Sequence, residues 1–88
     1  MRRKVRDQLC IQFLEAEVEA GFALVDEAKA YRASEQASFS SRVLLEATEM
    51  VADIERCLQR LAASEANPFF PLVAELRNEI AAMERESF

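Results

Sequence analysis

The chain has no histidine and no tryptophan, a single glycine, two prolines and two cysteines in 88 residues. Each scarcity excludes something. Without histidine there is no Ser-His-Asp or Cys-His catalysis. The Glu-x-x-His di-iron motif of ferritin-like bundles is likewise impossible, and the commonest metal ligand and general base is missing. The lone Gly21 cannot form a glycine-rich phosphate loop. So little glycine and proline leaves little material for turns, which fits a helical protein with few connections. Cys10 and Cys57 lack C-x-x-C spacing, so no metal site is expected. Cys57 falls on an apolar stripe and reads as an inert core thiol. Long apolar runs are absent too. Asp7, Gln12, Glu15, Glu17 and Glu19 interrupt any segment that could serve a signal peptide, and no stretch approaches the roughly 18 residues of a membrane span. The expected location is therefore the cytoplasm, where a Cys10–Cys57 disulfide is not expected.

The residues present are those of a folded chain: 51% hydrophobic and 31% charged, with many strong helix formers. The length allows one domain, 1–88. The net charge of −5 disfavours nucleic acid and anionic membranes as partners. Arginine outnumbers lysine, in keeping with a GC-rich bacterial genome. The charge is uneven, with Arg2, Arg3, Lys4 and Arg6 crowding the start. This cluster reads either as a solvated terminus or as a basic arm for an acidic surface, such as a second copy of the chain.

Apolar spacing predicts three helices, at about 5–32, 39–63 and 68–85. The first is apolar on two faces. One row is Leu9, Phe13, Ala16, Ala20, Leu24 and Tyr31, and the other is Ile11, Leu14, Val18, Phe22 and Val25. At about 100° per residue the rows lie roughly opposite each other. Gly21, in mid-helix, suits a close helix crossing or a bend. Ser38 is the preferred N-cap of the second helix, with Ser40 and Ser41 as alternatives. That helix carries one apolar arc: Phe39, Val43, Leu44, Ala47, Met50, Val51, Ile54, Cys57, Leu58 and Leu61. Asn67-Pro68 marks the third start, with Phe69-Phe70 in a tighter turn before Pro71. Phe69 is expected to plug the core and Phe70 to shield the turn. The third helix then offers Leu72, Val73, Leu76, Ile80 and Met83 on one face.

Leu24, Ala28 and Tyr31, followed by Ser40, Leu44 and Ala47, have the large and small spacing of a tetratricopeptide-type hairpin. The segment resembles that family over about a quarter of the chain. It departs where the family's turn glycine would fall near Glu35 and its closing proline near Ala52. The resemblance implies a protein-binding scaffold and carries no catalytic residues.

The expected architecture is an all-α antiparallel three-helix bundle, a helical hairpin plus a shorter third helix. The third helix covers one face of the hairpin and leaves one row of the first helix to spare. Glu15, Glu19, Glu46, Glu49, Asp53, Glu75 and Glu79 sit at the spacings of solvated helix faces, so the chain reads as non-enzymatic, with no cofactor and no substrate. The expected function is a protein–protein interaction or oligomerisation module. Its interface would be Ile11, Leu14, Val18, Phe22 and Val25, joined to a second copy in a twofold homodimer or to another helical protein. The alternative is a nucleic-acid or anionic-surface binder using Arg2, Arg3, Lys4 and Arg6.

Overall fold

The structure is a computed structural model that describes residues 2–86, with side chains described from Val5 onward. It contains α1 (Arg2–Ala33), α2 (Ala37–Leu58), a four-residue turn of helix α3 (Ala63–Ala66), a 3₁₀ turn (Asn67–Phe69) and α4 (Phe70–Glu86). The last three elements follow one another without a break, so the fold is three helices and no described residue lies in a strand. A 32-residue helix is about 48 Å long, which accounts for the 51 × 17 × 14 Å shape.

Side-chain neighbours fix the directions. Ser40 meets Ala28 and Cys57 meets Cys10, so α2 runs antiparallel to α1. Leu76 lies at Gly21, and Glu79 and Glu86 pair with Lys29 and Arg32, so α4 returns parallel to α1. The hairpin turn uses a helix C-terminal motif that normally takes glycine. The Gln36 amide donates to the Tyr31 carbonyl (2.8 Å) and the Glu35 amide to that of Arg32 (3.0 Å). Glu35 therefore sits at φ 62°, a left-handed conformation unfavourable for a residue with a Cβ.

The core joins Leu14, Val18, Val25 and Ala28 of α1 to the inner faces of α2 and α4, with Phe69 and Ala66 closing one end. Gly21 permits this closeness: a Cβ there would lie 2.7 Å from Leu76 Cδ2. Ser40, the one polar residue in the described core, donates its hydroxyl to the Ala28 carbonyl at 2.9 Å. Bridging the crossing in this way satisfies a group that would be costly to bury alone.

Several boundaries differ from the sequence reading. α2 starts at Ala37 with Gln36 at its cap and no side-chain capping bond, so Ser38 lies inside the first turn. It ends at Leu58 rather than near 63. The amides of Arg60 and Leu61 tighten onto the carbonyls of Cys57 and Leu58, and Ala62 turns extended (φ −63°, ψ 150°). Every residue there is an acceptable helix former, so propensity gives no stop signal. Asn67 is already helical and caps nothing through its side chain. The turn at Ala63–Ala66 precedes it, and the Ala62 carbonyl accepts from Glu65 and Ala66. Leu72, expected on the inner face of α4, is exposed.

Candidate functional site

The two rows of α1 have different fates. Of the row expected to form the interface, Leu14 and Val25 have no exposure, Val18 is buried, and Ile11 and Phe22 are half-buried against the core. Within one chain this is not the spare row. The parallel return of α4 brings Leu76, Glu79 and Met83 to that side of α1, and apolar side chains there leave water.

The other row is left outside. Val5 is 58% exposed, Leu9 61% and Phe13 46%. Ala16 and Ala23 are exposed, while Ala20, Leu24 and Tyr31 are half-buried. The row continues onto α2, because the Tyr31 ring stacks on exposed Phe39 with centroids 5.5 Å apart. Half-buried Met50 and Cys57 extend the same edge of α2. A contiguous apolar row left open to water is the kind of surface at which proteins associate.

Charge is segregated along α1. Arg6 is exposed. Arg2, Arg3 and Lys4 belong to the helix, but their side chains lie outside the described residues. From residue 8 to residue 28 the helix carries Glu15, Glu17, Glu19, Asp26 and Glu27 and no cation. The cations that follow are tied to α4: Lys29 to Glu79 (3.3 Å), and Arg32 to Glu86 (3.1 Å) and to the Met83 carbonyl (2.7 Å).

Concave surface is found along the seam between α2 and α4. There the Glu55–Arg77 ion pair separates two open grooves of about 330 and 310 Å³. The first is lined largely by apolar groups of Leu58, Phe70 and Val73. The carboxylates considered for acid–base chemistry stand on exposed faces, apart from half-buried Glu79, which is paired with Lys29. Among the described residues no three cysteine or carboxylate groups cluster as metal ligands. Among the described residues no helix is long and apolar enough to cross a membrane.

Cys10 and Cys57 face each other across the α1–α2 seam, both half-buried and both free thiols. Cys10 Sγ lies 3.8 Å from the Cys57 carbonyl oxygen. Burial first, and the neighbouring Cys57 thiol second, push the Cys10 thiol up to about 11. It is held protonated at neutral pH and is a poor nucleophile. Ser40, whose spacing suits an N-cap or a small hairpin residue, instead bridges to the Ala28 carbonyl, and Glu35 carries the left-handed turn under this surface. The one signal for Glu35 was the tetratricopeptide-like spacing, which puts a turn glycine nearby.

No family model, curated protein or solved structure matches this chain.

Proposed function

We propose that the chain is a non-enzymatic association module whose contact surface is the open row of α1, Val5, Leu9, Phe13, Ala16 and Ala20. The observation that carries this reading is the exposure of Val5, Leu9 and Phe13 along one side of α1, where the helix passes the end of α2 at Cys57. A helical partner laid along the row would remove these side chains from water, at about 25 cal/mol per Å² before ordering costs. The simplest such partner is a second copy of the chain. The tetratricopeptide-like spacing around Ala28 and Ser40 is in keeping with a protein-binding scaffold. The acidic net charge speaks against the nucleic-acid alternative.

Sedimentation equilibrium tests this. Wild type is expected to associate reversibly in the micromolar range or tighter. Phe13→Glu is expected to be monomeric with unchanged helicity. A wild type that stays monomeric at the highest soluble concentration overturns self-association. A Phe13→Glu protein that still dimerises moves the contact elsewhere.

A further inference from the structure

The open row of α1 has the spacing of a coiled-coil seam. Leu9, Phe13, Ala16, Ala20, Ala23 and Glu27 follow one another at intervals of four, three, four, three and four residues. All six are exposed except half-buried Ala20. The row is graded in both size and charge. Its first half holds the large side chains and follows the basic start, and its second half holds alanines and ends at Asp26 and Glu27.

Resting on the association reading above, we infer that the second copy docks antiparallel along α1, with Phe13 of one copy over Ala16 of the other and Leu9 over Ala20. In an antiparallel pair each layer joins the two kinds of seam position, one from each helix. This register puts a large side chain against a small one in all four central layers, the interdigitation that fills space without strain. The next layer sets Arg6 over Ala23, within one turn of Asp26 and Glu27 of the other copy. The basic start of each copy then lies beside the acidic end of the row on the other. Lys29 and Arg32 do not compete for those carboxylates, because α4 holds both.

The alternatives fail on the same two properties. A parallel in-register pair stacks Phe13 on Phe13, leaves the alanine layers thin, and sets the basic starts side by side and Glu27 against Glu27. Like charges so placed repel. Sliding the antiparallel pair by one heptad in one direction forces Leu9 against Phe13. Sliding it in the other direction puts Glu27 over Leu9 and alanine over alanine. Of these arrangements only the first satisfies both size and charge.

Single-cysteine crosslinking tests the register in a Cys10→Ser, Cys57→Ser background whose helicity is first checked against wild type. Under mild oxidation, a mixture of the Leu9→Cys and Ala20→Cys chains is expected to give a disulfide-linked dimer, and neither chain alone is. A linked dimer from Leu9→Cys alone means a parallel pair and overturns the register while leaving association standing. Absence of any linked species in a protein that sediments as a dimer also overturns it. A wild type that sediments as a monomer overturns the association reading and this inference together. The wild-type dimer, which needs no substitution, supplies an independent readout. Antiparallel pairing predicts dissociation that increases from low to high salt, as exposed opposite charges are screened. Dissociation that decreases with salt would contradict it.

Discussion

The two rows of α1 are a matched comparison on one helix. Leu14, Val18 and Val25 are inside, whereas Val5, Leu9 and Phe13 are outside, although these three are no less apolar residue for residue. What separates them is the neighbour. α4 returns along one side of α1, drawn close at Gly21, and α2 lies between the rows, meeting Cys10 at one end and Tyr31 at the other. Apolar character alone does not put a side chain in a core. A second surface must be present to exclude water from it.

The largest test of this contrast is a pair of truncations. Leu14→Ala empties fully buried space and is expected to cost about 2–5 kcal/mol in urea denaturation. Leu9→Ala, measured dilute enough to be monomeric, should change stability by less than about 0.5 kcal/mol while weakening association. Equal costs for the two would mean that the outer row is packed within the chain. A smaller effect comes from the turn that lays α2 between the rows. Glu35→Gly relieves the left-handed strain at φ 62°. It should stabilise the hairpin by up to about 1 kcal/mol, raising the urea midpoint without altering sedimentation. A loss of stability would show that the turn does not hold Glu35 as described.

The smallest effect concerns Cys10, which sits between the rows. Its folded pKa is raised to about 11 from an ordinary value of 9.0. The protonated thiol is therefore favoured in the folded state. Its contribution to stability is full below about pH 9 and is lost as pH rises toward 11. Iodoacetamide should label Cys10 in the folded protein far more slowly at pH 8 than in urea, with the rate still climbing past pH 10. Equal labelling in the two states would place Cys10 in open water.

Much of the fold was readable because helical periodicity is local. The all-α architecture, the long first helix with its two rows, the close crossing at Gly21 and the burial of Phe69 all follow from residue types at fixed spacings. The end of α2 at Leu58 was not readable, since Gln59–Ala63 contains nothing that opposes a helix. Nor was the buried Ser40, whose partner carbonyl lies across the hairpin and not along the chain. The candidate surface was half readable: the sequence carries both rows, but periodicity does not distinguish the open row from that of Leu14, Val18 and Val25, which is covered within the chain.

The sequence by itself determined that α1 is helical and apolar on two sides, because those properties depend only on side chains three and four residues apart. Tertiary structure alone decided which side meets water. That choice depends on the direction in which α4 comes back, and a connection of a few residues with no glycine does not encode direction in any local pattern.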